Sequence, residues 1–100
     1  MYFAVICRDK PGALQLRMDT RPAHVEHLND LNARGILKLA GPMLDDEGKP
    51  CASLLIFETD TLEEAEALAE ADPYAKAGLF ASVEIKPWNW VFNAPTKSGA

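Results

Sequence analysis

Two ionisable residues interrupt the apolar faces of the two predicted helices, and they are the strongest candidates for chemistry. His24 shares a helix face with Leu28 and Leu31, so its side chain should point toward the sheet. Asp72 continues the apolar stripe of the second predicted helix, three residues after Ala69. A carboxylate that accepts a hydrogen bond from one histidine nitrogen fixes the tautomer and leaves the other nitrogen as a base.

This pair has more than one interpretation. In the functional one, His24 is a general base and Asp72 orients it; in the structural one, the two form a satisfied polar contact that locks the helices together. A third use is metal binding by His24, His27 and Asp72. The segment His-Val-Glu-His does not have the zincin spacing, however, and we predict neither a metal nor a cofactor.

Three further residues are candidate substrate contacts. Arg21 lies one turn before His24 and could bind a substrate carboxylate, or it forms only a solvent-exposed ion pair. Tyr74 could donate a hydrogen bond to a substrate, with packing as the alternative. Pro42 should lie at the same end of the fold. Cys7 is a weak nucleophile candidate, because no residue nearby in the sequence marks it as activated.

The elements that must position these residues follow the order βαββαβ. Strands are predicted over residues 2–7, 36–40, 51–58 and 79–86, and helices from residue 20 or 21 to 34 and from a Thr61 N-cap to about 71. Residues 9–19 are predicted as a loop, which would place Pro22 in the first helical turn. Residues 74–78 should form a turn or a short helix, and residues 87–92 could extend the last strand.

That order predicts an α+β, ferredoxin-like fold with two helices on one face of a four-stranded antiparallel sheet. The topology brings the start of the first helix and the end of the second to the same end of the domain. The first and third strands are apolar on both faces, whereas a half-exposed sheet would alternate. We therefore expect a second copy of the chain to cover the open sheet face. Trp88, Trp90 and Phe92 would pack in that interface or in the tail.

Composition excludes several classes of protein. One hundred residues make one domain, predicted over residues 1–92 and followed by a flexible tail over 93–100. A net charge of -5 argues against a nucleic-acid partner. No apolar run approaches the roughly 20 residues that would span a membrane. Two cysteines make no disulfide framework, which favours a cytoplasmic protein.

Several of these segments, taken in order, resemble the YciI-like (YCII-related domain) family. The matching pieces are Tyr-Phe-Ala-Val-Ile near the N-terminus, Arg21-Pro22-Ala23-His24 with His27-Leu28, Gly41-Pro42, Ala71-Asp72-Pro73-Tyr74 and Val83-Glu84-Ile85-Lys86-Pro87-Trp88. The resemblance spans residues 1 to about 92. It implies a ferredoxin-like fold in a dimeric α/β barrel, related to the muconolactone isomerase-like proteins. It also implies an active site centred on a histidine and an aspartate, here His24 and Asp72.

The resemblance also suggests a reaction class. The wider family includes a chlorinated-hydroquinone dehydrochlorinase, which implies proton abstraction with elimination. The Asp-Gly-Pro-Phe motif of a sister branch is absent, so that branch's association with sigma-factor genes is not carried over. We expect a homodimeric, cofactor-independent enzyme acting on a small aromatic or acidic molecule, by isomerisation or elimination. The alternative is a non-catalytic small-molecule-binding or protein-interaction domain.

Overall fold

The computed structural model describes residues 1–95 of the chain. Within these residues the elements are β1 (Tyr2–Asp9), α1 (Leu14–Ala33), β2 (Leu37–Leu44), β3 (Pro50–Glu58), α2 (Leu62–Glu70), α3 (Pro73–Lys76) and β4 (Phe80–Trp88). The predicted domain boundary at residue 92 stays a prediction. Of the predicted tail, residues 96–100 lie outside the described residues.

The four strands form one antiparallel sheet in the order β2-β3-β1-β4, which confirms the ferredoxin-like prediction. Strand β1 lies in the centre, and the burial of its residues alternates from Tyr2 to Cys7. Phe3, Val5 and Cys7 are buried on the face that the helices cover. The neighbouring β3 presents Leu55 and Phe57 to the same face. The core lies between this face and helices α1 and α2, because alternate residues of a strand point to the same side of the sheet.

Helix α1 begins six residues earlier than its sequence predicts. The loop predicted over residues 9–19 is wrong after residue 13, because the helix starts at Leu14, directly after a turn at Gly12 with φ of 71°. Pro22 is therefore inside the helix rather than in its first turn, and its missing N–H leaves the Met18 carbonyl without the usual helical donor. The buried contacts that Arg17 makes with Asp9 and Ser53 hold the added turns in place despite this cost.

Strand β2 is longer than predicted. It does not end at Gly41-Pro42 but continues to Leu44, with Pro42 opposite Ser53 of β3. Proline is compatible with this position because β2 is an edge strand of the sheet. The extension carries Pro42 along the sheet surface beside α1.

Two caps define the segment that carries Asp72. The Thr61 side chain accepts a hydrogen bond from the Glu64 amide at 3.2 Å and starts α2, as predicted. Helix α2 ends at Glu70, so Asp72 does not extend its apolar stripe as the sequence suggested. Instead the Asp72 carboxylate caps α3 by accepting from the Tyr74 amide at 2.9 Å, with Pro73 in the first turn.

Candidate functional site

The structure brings His24 and Asp72 into direct contact across the helices. Nδ1 of His24 lies 2.9 Å from Oδ1 of Asp72, and the two residues are only 8% and 4% exposed. An ionised carboxylate only accepts hydrogen bonds, so we assign the proton to Nδ1. Nε2 then carries a free lone pair, and no described residue occupies it. In the neutral form of the imidazole, this arrangement leaves one nitrogen fixed and the other available as a base.

Asp72 is itself held rigidly in place. The oxygen that contacts His24 also accepts the Tyr74 amide hydrogen at the start of α3. A carboxylate with two donors on one oxygen has little freedom to rotate. The start of the short helix α3 therefore directs the Asp72 carboxylate toward α1. The helix cap and the contact with His24 both depend on Oδ1 of Asp72.

The ring of Tyr74 lies flat against His24. The two ring centroids are 3.9 Å apart, with an angle of 17° between the planes. Burial raises the pKa of the Tyr74 phenol, although the nearby charges of Arg17 and Arg21 act in the opposite direction. Tyr74 is therefore a neutral hydrogen-bond donor at physiological pH. Its ring restricts rotation of the imidazole.

Arg17, which the sequence interpretation missed, occupies the centre of the site. Nε and Nη2 of its guanidinium donate to the two carboxylate oxygens of Asp9 at 2.7 and 2.9 Å. Nη2 also donates to Oγ of Ser53 at 2.8 Å. The guanidinium carbon lies 4.7 Å from the Tyr74 ring centroid, on top of the ring. Arg17, Tyr74 and His24 thus form a connected stack.

The Arg17–Asp9 ion pair is deeply buried, and both side chains are 5% exposed. Burial by itself would lower the pKa of Arg17, but the hydrogen bond and the negative charge of Asp9 outweigh it and raise the pKa. The guanidinium stays charged, and its charge is compensated locally. Asp9 lies on β1 and Ser53 on β3, so this network ties helix α1 to the two central strands.

These side chains border a cavity of about 280 Å³ between α1, α3 and the sheet. Its polar lining consists of Arg17, Arg21, His24, Ser53 and Tyr74. Apolar groups complete the walls, namely Met18, Val25, Leu28, Ala40, Gly41, Pro42, Pro50 and Leu55. No aspartate or glutamate lines the cavity. Asp9 and Asp72 contact the lining residues Arg17 and His24 from outside it. The size suits a ligand smaller than a typical drug molecule.

All five predicted site residues are thus found together. His24, Arg21, Tyr74 and Pro42 line one cavity, and Asp72 supports His24 from behind. Arg21 is exposed, and it makes no ion pair among residues 1–95. Their roles in binding or catalysis stay predictions.

The weaker candidates fall elsewhere. Burial raises the pKa of the Cys7 thiol to about 12, with the charge of Asp72 adding to the effect, so the thiolate is scarce and Cys7 packs in the core. His27 does not line the cavity, and its Nε2 atom is buried without a partner in the described part of the chain. Trp88 and Trp90 pack with Tyr2 at the far end of β1.

The described residues also bear on metal binding and membrane insertion. Among residues 1–95, no three His, Cys, Asp or Glu side chains lie close enough together to hold a metal ion. Within the same residues, no helix has the length and apolar character required to cross a membrane.

Comparison with known proteins gives consistent results over almost the whole chain. A sequence model of the YCII-related domain matches residues 1–89. Protein YciI of Escherichia coli O6:H1 is 40% identical over 98 residues, which cover 92% of this chain and all of the relative. An uncharacterised protein of Haemophilus influenzae is 36% identical with the same coverage.

One similar solved structure has an assigned activity. It is the 5-chloro-2-hydroxyhydroquinone dehydrochlorinase (TftG) of Burkholderia phenoliruptrix AC1100, in complex with 2,5-dihydroxybenzoquinone. The two chains are 35% identical and superpose with a TM-score of 0.80, over 89% of this chain and 94% of that one.

Proposed function

The chain belongs to the YCII-related domain family, and we propose that it is an enzyme in which His24 removes a proton from a small organic molecule. The observation that carries the proposal is the 2.9 Å contact between His24 Nδ1 and Asp72 at the wall of the cavity. It leaves Nε2 as the base and keeps the imidazole in one orientation. Asp72 is the orienting residue and stabilises the imidazolium that forms.

The reaction class follows from what a single general base can do. Nε2 takes a proton, and the electron pair of the broken bond moves into the ligand. Return of the proton at another atom gives an isomerisation, and departure of a leaving group with its electron pair gives an elimination. Neither outcome needs a redox cofactor, because the ligand itself holds the electron pair.

The cavity lining supports a ligand that is small, partly apolar and negatively polarised. Arg21 is the cation available to a ligand carboxylate or phenolate, since the charge of Arg17 is compensated by Asp9. Tyr74 supplies a neutral donor, and Pro42 forms part of the apolar wall. The dehydrochlorinase from Burkholderia, solved with a dihydroxybenzoquinone, supports the choice of a small ring compound.

We further propose that the protein acts as a homodimer whose two sheets pack through their open faces. Leu39 and Leu54 are 50% and 39% exposed on this face. Beside them, Tyr2, Ala4 and Ile6 of β1 alternate with the buried core residues and point the same way. A single chain has no element to cover this apolar surface among residues 1–95. A cytoplasmic location is proposed from the cysteine content alone.

Proton abstraction can be tested before the substrate is known. The wild type is incubated in D₂O with a panel of small phenols and enolisable ketones, and deuterium incorporation at carbon is followed by NMR. We expect exchange in at least one compound, loss of exchange in His24→Ala and retention in His27→Ala. His27 is a matched control because it lies on the same helix but does not line the cavity.

The outcomes separate the alternatives. If exchange persists in His24→Ala, or no compound exchanges, the proposed base is wrong. A compound that binds the wild type and His24→Gln equally, without exchange in either, indicates a binding domain. If His24→Ala instead only unfolds, while a folded His24→Gln neither binds nor exchanges differently from the wild type, the pair is structural.

A further inference from the structure

The hydroxyl of Ser53 has one role fixed by its neighbour and one role left open. A guanidinium has donors and no acceptor, so the 2.8 Å contact from Arg17 Nη2 occupies a lone pair of Ser53 Oγ. The hydroxyl hydrogen must then point elsewhere. No described residue accepts it, although Ser53 is only 3% exposed. A buried donor without an acceptor is costly unless something else accepts it.

The cavity is where that acceptor would be. Ser53 lines the same cavity as His24, so a ligand there faces a hydroxyl donor on the floor and an imidazole acceptor on the wall. The donor is strengthened by its surroundings, because a charged guanidinium that donates into an oxygen polarises its O–H bond. Asp9 holds the guanidinium by two bonds and thereby fixes the direction of that polarisation.

We propose that Ser53 is the binding residue for a ligand oxygen that becomes negatively charged when His24 removes a proton. The substrate class is a phenol or an enolisable carbonyl compound, an assignment that rests on the proposed role of His24. The C–H or O–H bond of the ligand breaks, the proton goes to Nε2, and the electron pair ends on the oxygen that Ser53 holds. When the ligand is protonated again, the proton leaves Nε2 and the electron pair on the oxygen goes back into bonding, so no oxidant or reductant is consumed.

Arg17 is a positioning residue in this arrangement. It does not need to touch the ligand, because it acts through the Ser53 hydroxyl on one side and the Tyr74 ring on the other. Fixed donors aimed at a developing charge are effective because they need no reorganisation during the reaction. Ser53 of β3 and Arg17 of α1 thus form one preorganised site for a ligand oxygen.

The test is equilibrium binding of 4-nitrophenol, compared with nitrobenzene, which lacks the hydroxyl oxygen. Binding is measured by absorbance for the wild type, Ser53→Ala and the matched control Ser82→Ala. Ser82 is exposed and does not line the cavity. We expect Ser53→Ala to bind 4-nitrophenolate about ten- to hundredfold more weakly, the usual effect of losing a hydrogen bond to a charged group. The affinity of Ser53→Ala for nitrobenzene should equal that of the wild type. Ser82→Ala should bind both compounds as the wild type does.

Two further variants keep the test decisive. Ser53→Thr retains the hydroxyl and should retain most of the affinity. Ser53→Cys is nearly isosteric but a weak donor, so it should lose affinity even where Ser53→Ala fails to fold. Equal 4-nitrophenol binding by the wild type and Ser53→Cys, or no saturable binding by the wild type, would overturn the inference.

The inference and the proposed function can fail separately. If Ser53→Ala weakens the binding of 4-nitrophenol but His24→Ala still supports deuterium exchange, the proposed oxygen site is correct and the proposed role of His24 is wrong. If His24→Ala abolishes exchange while Ser53→Ala binds 4-nitrophenol like the wild type, the base stands and the oxygen site is wrong.

Discussion

Replacing Arg17 by methionine should destabilise the protein strongly, because it leaves the Asp9 carboxylate buried without its partner. Two hydrogen bonds of 2.7 and 2.9 Å join these side chains, and each is only 5% exposed. Removing one member of a buried ion pair costs about 3–5 kcal/mol. For a domain of this size, that loss corresponds to a fall in melting temperature of roughly 12–40 °C.

Urea denaturation followed by intrinsic fluorescence measures the free energy of unfolding directly. All variants are compared at one protein concentration, because dimer formation would make stability depend on concentration. Arg34→Met is the matched control: it is the same substitution at the end of α1, in an exposed ion pair with Asp30. It should cost only about 0.3–0.5 kcal/mol.

A double variant separates the charge effect from the loss of packing. Arg17→Met combined with Asp9→Leu removes both buried charges and should recover a large part of the stability that Arg17→Met loses. The reasoning is refuted if Arg17→Met costs no more than Arg34→Met. It is also refuted if the double variant is as unstable as the two single variants added together.

Three other predictions test the site, the core and the assembly. Asp72→Asn should reduce deuterium exchange by about a hundredfold or more, since His24 loses the carboxylate that sets its tautomer, and circular dichroism should show an intact fold. Burial raises the pKa of Cys7 to about 12, so stability should fall as pH rises above about 9, where the unfolded thiol ionises, by up to about 1.4 kcal/mol per pH unit. Urea titrations of wild type and Cys7→Ala should show a shallower alkaline slope in the variant, and Ellman's reagent should label native Cys51 but not Cys7. Leu54→Glu should convert the dimer to a folded monomer in light scattering, and a wild type that is already monomeric would contradict the proposed assembly.

The order of the elements could be predicted because each has a strong local signal. The Thr61 cap, the apolar, β-branched and aromatic run of β1 and the glycine turns place the predicted elements close to the observed ones. The start of α1 could not be predicted in the same way. Pro22 is a typical first-turn residue, and the structure places it inside a helix whose earlier turns are held by tertiary contacts of Arg17.

Half of the site could be predicted and half could not, for one reason. His24 and Asp72 attracted attention as polar residues on apolar helix stripes. The error over residues 9–19 placed Arg17 in a loop, although it lies seven residues before His24 and thus on the same helix face. Asp9 is two residues after Cys7, and Ser53 is two residues before Leu55, so each is expected on the face of the sheet that the helices cover. This alternation was the signal that could have identified them. What the sequence could not show is that the three meet.

The network that stabilises the fold is also the network that sets the geometry of the cavity. His24 is held at its edge by Asp72 and on its face by Tyr74, and Tyr74 is covered in turn by Arg17. A loss of activity in Arg17→Met therefore has two causes, global unfolding and displacement of the stack. Asp72→Asn differs, because it alters the proton on the imidazole while the stack remains. Exchange that falls in Asp72→Asn at unchanged stability would thus assign the chemistry to the imidazole and not to the integrity of the fold.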